Sequence, residues 1–141
     1  MLRVVPDVNV LVSALLNPAG PNGRLLRAWR RHQFLFVTSE VILAKVDDVL
    51  HRPHLRTAFP LPEQQVRRLL RQLRLRARLT PHALALRVVE ADREDDNILI
   101  AAVEGRADCI ISGDKHLRDL GSYQDIPILS PAEFVEQYKI P

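Results

Sequence analysis

Residues 2–16 read LRVVPDVNVLVSALL, and this stretch decides the expected fold. Its first part, residues 2–6, predicts a short buried strand, and Val8–Leu16 predicts an apolar helix. A single acid, Asp7, lies between the two. A strand that passes directly into a helix is the unit from which α/β domains are built, and the rest of the chain repeats the pattern.

Four further strands and five further helices are expected along the chain. The strands are predicted at residues 34–37, 86–89, 109–112 and 126–129. The helices are predicted at residues 24–32, from Thr38 or Ser39 to 51, from Pro62 onward, from the acidic cluster at 92–96 to 104, and after Ser130. Such alternation predicts one α/β domain over residues 1–141, with a parallel five-stranded sheet and right-handed crossovers.

Composition narrows the class of protein. The 141 residues are 47% apolar and 26% charged, which suits a folded domain with a real core. The longest apolar runs are too short to span a bilayer, and the N-terminus lacks the features of a signal peptide, so a cytoplasmic protein is expected. The net charge of +3 permits a polyanionic partner without requiring one.

Acidic residues follow or precede the predicted strands at places that a parallel sheet brings together. Asp7 follows the first strand, Asp114 follows the strand at 109–112, and Asp96 closes an acidic cluster that begins at Asp92. Ligands bind at the carboxyl edge of such sheets. Converging carboxylates repel one another, and a hard divalent cation such as magnesium relieves that repulsion. The pattern therefore indicates a metal site suited to phosphodiester hydrolysis.

The same acids have simpler interpretations. Asp7, Asp96 and Asp114 each fit a helix N-cap, and Asp92, Glu94 and Asp95 fit favourable charges near a helix N-terminus. Each aspartate alone is weak evidence for a metal site, but the order and spacing of the three together favour one.

Three segments together resemble the acidic motifs of PIN domains. They are residues 7–15 (DVNVLVSAL), residues 92–102 (DREDDNILIAA) and residues 107–117 (ADCIISGDKHL), and residues 128–134 (ILSPAEF) resemble the family's closing segment. The resemblance covers nearly the full chain and points to the VapC-like toxin components of toxin–antitoxin systems. It implies a Rossmann-like three-layer fold with a mainly parallel five-stranded sheet, Mg²⁺ or Mn²⁺, and endonucleolytic cleavage of single-stranded RNA. It also implies a small antitoxin partner and a homodimer.

The resemblance assigns roles to particular positions. Asp7, Asp96 and Asp114 would be the catalytic, metal-binding acids, with Asp95 as the alternative to Asp96. The polar residues that would orient these carboxylates are Asn9, Ser112, Asp92 and Asp95.

One position departs from the family pattern. Lys45 stands where a glutamate is expected, so a cation replaces an acid. Its ammonium would compete with the metal, while Asp48, one helical turn away, would partly replace the acid. Two functions therefore stay open: an active ribonuclease, or a weakened PIN-like module that binds RNA or antitoxin without turnover. A phosphoacceptor receiver domain is disfavoured because only one acid follows the first strand.

An arginine run extends over residues 67–78. Helical periodicity places Arg67, Arg71, Arg74 and Arg78 on one face, either as a solvated surface or as a contact for the RNA backbone.

Overall fold

A computed structural model describes residues 1–85 and 93–141. The six strands in these ranges are β1 (Arg3–Pro6), β2 (Leu35–Ser39), β3 (Arg78–Thr80), β4 (Cys109–Ile111), β5 (Ser122–Tyr123) and β6 (Ile126–Leu129). The helices are α1 (Val8–Leu16), α2 (Pro21–Arg30), α3 (Glu40–Leu50), α4 (Pro53–Ala58), α5 (Glu63–Arg76), α6 (Arg93–Glu104), α7 (Lys115–Leu120) and α8 (Pro131–Gln137). None of the described helices combines the length and apolar character that crossing a membrane requires.

The strands form one sheet in the order β3-β2-β1-β4-β6-β5. All neighbours are parallel except β5 and β6, which pair antiparallel. The chain moves outward from β1 through β2 to β3, then crosses back to β4 on the other side of β1. The strand order therefore reverses between β1 and β4, and the crevice at their carboxyl ends is where sheets of this type bind ligands.

The core lies on both faces of the sheet. Val4 and Val5 of β1 are fully buried and belong to different apolar clusters, because successive strand residues point to opposite faces. Trp29 of α2 stacks on Phe36 of β2 with ring centroids 5.0 Å apart, and both rings are buried in the core. Helices cover both faces, so the expected mainly parallel three-layer α/β fold is confirmed.

The strand count and one helix end differ from the prediction. The sheet has six described strands rather than five, because Ser122–Tyr123 adds a short antiparallel edge and Arg78–Thr80 pairs with β2. Arg78 was expected on the helix of the arginine run, and that was wrong. The backbone of Ala77 is extended, so α5 ends at Arg76 and Arg78 opens β3. The strand expected at 86–89 lies outside the described residues.

Helix starts were predicted with mixed success. α2 begins at Pro21, three residues before the expected start, because proline is well suited to the first turn. α8 begins as expected: Ser130 and Glu133 form a capping box, and Pro131 occupies the first turn. α6 begins at Arg93, so Asp96 lies inside the helix and its interpretation as an N-cap was wrong.

Candidate metal and nuclease site

Asp7 lies at the carboxyl end of β1, inside the crevice where strand order reverses. Its backbone N–H donates to the carbonyl of Ile111 at 3.0 Å, which extends the β1–β4 pairing by one residue. Its side chain caps α1, accepting a hydrogen bond from the backbone N–H of Asn9 at 2.6 Å. The hydroxyl of Ser112 donates to the other carboxylate oxygen. Asp7 is thus held by hydrogen bonds to β4, to the residue that follows β4 and to the first turn of α1.

Burial makes the ionised form of the Asp7 carboxylate less favourable. Asp7 is 4% exposed, and its pKa is raised, chiefly by burial and further by the negative charge of Asp114. The hydrogen bonds from Ser112 and from the backbone of Asn9 act in the opposite direction. A nearby cation would hold Asp7 ionised, because it removes the electrostatic penalty of a buried anion.

Asp114 reaches the same crevice from β4. Its side chain caps α7, accepting from the backbone N–H of His116 at 2.7 Å, and its own N–H donates to the Ser112 hydroxyl oxygen at 2.9 Å. Ser112 therefore bridges Asp7 and the backbone of Asp114. Both aspartates do serve as N-caps, and that role leaves carboxylate oxygens at the crevice.

A cavity of about 190 Å³ opens where these residues meet, and we call it the aspartate cavity. Its lining residues are Asp7, Val8, Asn9, Lys45, Val49, Arg52, Asp95, Ile98 and Asp114. Acids from three parts of the chain share this space with two basic side chains, Lys45 of α3 and Arg52 from the turn before α4.

The two candidate acids of α6 are placed differently. Asp95 and Asp96 are both buried, at 6% and 4% exposure, but Asp95 lines the aspartate cavity whereas Asp96 is not among its lining residues. The choice of Asp96 over Asp95 stays a prediction, and the cavity favours Asp95. Asp92 lies outside the described residues. For Asn9, the hydrogen bond to Asp7 comes from its backbone, so that contact does not depend on the amide side chain.

Lys45 does lie beside the aspartates, as the motif comparison implied. It lines the aspartate cavity, and its ammonium lies 3.8 Å from the carboxylate of Asp48. Arg52, which lies after the end of α3 and directly before α4, also lines the cavity and contacts the same Asp48 oxygen at 3.5 Å. The sequence did not indicate Arg52, because its place beside the aspartates depends on the turn that joins α3 to α4.

Asp48 does not line the aspartate cavity, and its partial replacement of the missing acid stays a prediction. It is 64% exposed, and among the cavities it lines the neighbouring groove between α3 and α5 rather than the aspartate cavity. Glu40 is engaged elsewhere, with its carboxylate 3.2 Å from Arg74. α3 therefore presents Lys45 to the aspartates, and Asp47 and Asp48 to the groove.

The groove between α3 and α5 has a volume of about 710 Å³, and we call it the mixed-charge groove. Arg67, Arg71 and Arg74 line it from α5, which confirms that these three share a face. Asp47 and Asp48 line the groove from α3, and on α5 itself Arg67 lies 3.8 Å from Glu63, one turn before it. His51 joins the two helices, with Nε2 2.8 Å from Glu63 Oε1.

The donors of the aspartate cavity fit a hard divalent cation in chemistry. Magnesium commonly takes one or two protein carboxylates and completes its shell with water and substrate phosphate, and Asp7 with Asp114 meets that requirement. Across residues 1–85 and 93–141, no three His, Cys, Asp or Glu side chains are close enough to hold one ion. The protein would therefore supply a partial ligand set, next to two competing cations.

A mainly parallel α/β sheet with carboxylates at its switch point defines a class of folds that can hold a divalent cation. Within that class, residues 3–116 match the family model of the PIN domain. The chain therefore belongs to the PIN-domain family, whose members are generally nucleases that use divalent metal ions. The chain is also similar to Uncharacterized protein MJ1680 of Methanocaldococcus jannaschii, with 29% identity over 146 residues that cover 98% of this chain and 92% of the relative.

Proposed function

We propose that this protein is a Mg²⁺- or Mn²⁺-dependent endoribonuclease that cleaves single-stranded RNA in the aspartate cavity. The observation that carries the proposal is the meeting of Asp7, Asp95 and Asp114 around one cavity at the reversal of strand order. Membership of the PIN-domain family supports the nuclease class, and the choice of RNA follows from the resemblance to VapC-like proteins.

In this proposal Asp7 and Asp114 hold the metal, and Asp96 or its neighbour Asp95 joins them only if the side chains move closer than they lie in the described residues. When bound, the cation supplies activation of water and neutralisation of charge on the phosphodiester. Ser112 keeps the Asp7 carboxylate turned toward the cavity, and the backbone N–H of Asn9 fixes its other oxygen. Because Asp7 also caps α1, its position does not depend on the cation.

A second candidate function is supported by Lys45. A PIN-like module whose cavity contains its own ammonium group would bind RNA or a protein partner and turn over slowly or not at all. Lys45 and Arg52 both line the aspartate cavity, and either cation repels a divalent metal there.

We also propose that the protein is the toxin of a toxin–antitoxin pair, with a small antitoxin partner and a homodimeric state. The support is the resemblance of the motifs. Co-purification with the product of a neighbouring small gene, and a dimer mass by light scattering, are the expected observations.

The deciding experiment measures cleavage of a labelled single-stranded RNA during titration with Mg²⁺ or Mn²⁺, against a chelator blank. Asp114→Asn should lower the rate by at least about a hundredfold, since a ligand to the charge-stabilising cation is lost. Asp119→Asn is the matched control, because Asp119 is exposed on the same short helix. Equal rates for both variants, or cleavage that persists in the chelator, would refute the proposal.

A further inference from the structure

A second cavity, of about 320 Å³, lies between α1, α2 and α5 and has a very different charge. Its lining residues are Ala14, Leu15, Pro18, Gly23, Leu26, Arg27, Arg30, Gln65 and Arg68. Three arginines surround an apolar floor, and no acid lines the space. We call it the arginine cavity.

Nothing in the described part of the chain neutralises these arginines. Within residues 1–85 and 93–141, none of Arg27, Arg30 and Arg68 forms an ion pair. Arg27 donates to the backbone carbonyl of Pro18 at 2.6 Å, and Arg30 donates to the side-chain amide oxygen of Gln72 at 2.9 Å. Both contacts orient a guanidinium and leave its full charge uncompensated.

The crowding of positive charge is strongest at Arg30. This side chain is half-buried, and its pKa is lowered, first by burial and then by the charges of Arg68 and Arg76. Arg76 itself stacks over the ring of Trp29 at 4.8 Å from the centroid, beside the same helix. Like charges held this close favour the approach of an anion, which relieves their repulsion.

The two sides of α5 differ in this respect. On the mixed-charge groove, Arg67 is paired with Glu63 and Arg74 with Glu40. On the arginine cavity, Arg68 faces two further arginines of α2 and no acid. α5 therefore presents two ion-paired arginines, Arg67 and Arg74, to the groove, and Arg68, for which the described residues provide no ion pair, to the arginine cavity.

We propose that the arginine cavity binds backbone phosphates of a single-stranded RNA, as an anchoring subsite separate from the aspartate cavity. The choice of RNA rests on the proposed function. Guanidinium groups match phosphate oxygens through paired hydrogen bonds, and the three arginines line one cavity whose other lining residues carry no charge. An acidic protein segment is the competing occupant, and the experiment below separates the two.

The test measures binding of a labelled single-stranded RNA in chelator, where no metal-dependent cleavage occurs. The triple variant Arg27→Gln/Arg30→Gln/Arg68→Gln should bind at least about tenfold more weakly at about 50 mM salt. The dependence of log affinity on log salt should become shallower by about 2, which is the loss of about three phosphate contacts on a single strand. Arg106→Gln/Arg118→Gln/Lys139→Gln removes the same charge from exposed positions outside both cavities and should have a much smaller effect.

Two further measurements separate a loss of RNA binding from a loss of folding and from binding of an acidic protein segment. The double variant Arg27→Gln/Arg68→Gln changes only exposed side chains, so it should fold normally and still lose several-fold in affinity. Equal losses in the matched control variant, or no loss in the triple variant, would overturn the proposal. It would also be overturned if poly-glutamate binding, and not RNA binding, depended on the three arginines. RNA that binds through these arginines without being cleaved in metal supports this subsite and contradicts only the proposed enzyme.

Discussion

The aspartate cavity is lined by charges of both signs, whereas all the charged residues that line the arginine cavity are positive. Asp7, Asp95 and Asp114 share their cavity with Lys45 and Arg52, whereas the residues lining the arginine cavity include no acid. The first cavity lies at the carboxyl edge of the sheet, and the second lies between helices α1, α2 and α5. The position of the first is fixed by the topology of the fold, and that of the second by the helices packed on the sheet.

The difference indicates how each cavity selects a ligand. A divalent cation entering the aspartate cavity must displace or tolerate two basic side chains, so its affinity should be reduced. An anion entering the arginine cavity meets no such competition from the residues that line it. We therefore expect anion binding to be less sensitive to single substitutions than metal binding is.

Asp7→Asn should produce the largest effect, because it removes the most buried acid of the aspartate cavity. RNA cleavage should fall by at least about a hundredfold, while RNA binding in chelator should change little. Folding stability should rise at neutral pH. The pKa of Asp7 is raised by burial, so its contribution to stability is present at low pH and is lost as the pH rises through the folded-state pKa.

Thermal unfolding at pH 7 measures the second part of this prediction. An increase of roughly 3 °C is expected, which corresponds to about 1 kcal/mol in a chain of this length. Asn is also a good N-cap, so the start of α1 should survive the substitution. A lower melting temperature would show that the Asp7 carboxylate stabilises the fold, contrary to the electrostatic account of this cavity.

The mixed-charge groove contains both acids and bases, and substitutions there should have the smallest effect on folding stability. His51 Nδ1 lies 2.7 Å from the backbone carbonyl of Asp47, and its other ring nitrogen lies 2.8 Å from Glu63. The first contact and then the second raise the pKa of His51, and the hydrogen bond from His51 is the main favourable influence that lowers the pKa of Glu63. This contact between α3 and α5 should therefore be strongest between about pH 4.5 and 6.5, the ordinary values of the two groups.

Above that window the histidine contribution is lost as the pH rises through its raised folded-state pKa. Below it the Glu63 contribution is lost as the pH falls through its lowered pKa. His51→Gln should lower the melting temperature by about 1 °C at pH 6 and less at pH 8.5, because exposed ion pairs contribute little. His54→Gln, on the neighbouring exposed helix, should show no such pH dependence.

Much of the aspartate cavity could be predicted from the sequence because its residues are tied to strand ends. Asp7 and Ser112 each follow a buried strand, and parallel pairing of β1 with β4 brings them together. The sequence could not decide between Asp95 and Asp96, because the start of α6 was not known to within one residue. In the structure Asp95 lines the cavity and Asp96 is not among its lining residues. The location of Lys45 beside the aspartates could also be anticipated, since it follows from the helix after β2.

The arginine cavity could not be predicted in the same way. Arg27 and Arg30 come from α2 and Arg68 from α5, and helical periodicity says which residues share a face but not which helices pack together. The arginine run suggested one continuous helical face, but α5 ends at Arg76 and its arginines divide between two cavities. Long-range packing, rather than local pattern, decides which positive charges meet.

The most direct test of the account is the affinity of the protein for Mn²⁺, measured by calorimetry or electron paramagnetic resonance without RNA. Lys45→Glu should bind Mn²⁺ at least about tenfold more tightly than the unchanged protein, because an acid replaces a competing cation. Lys139→Glu makes the same charge change at an exposed position and should leave the affinity nearly unchanged. If Lys45→Glu and Lys139→Glu bind Mn²⁺ as the unchanged protein does, Lys45 does not occupy a metal site and the central claim is contradicted.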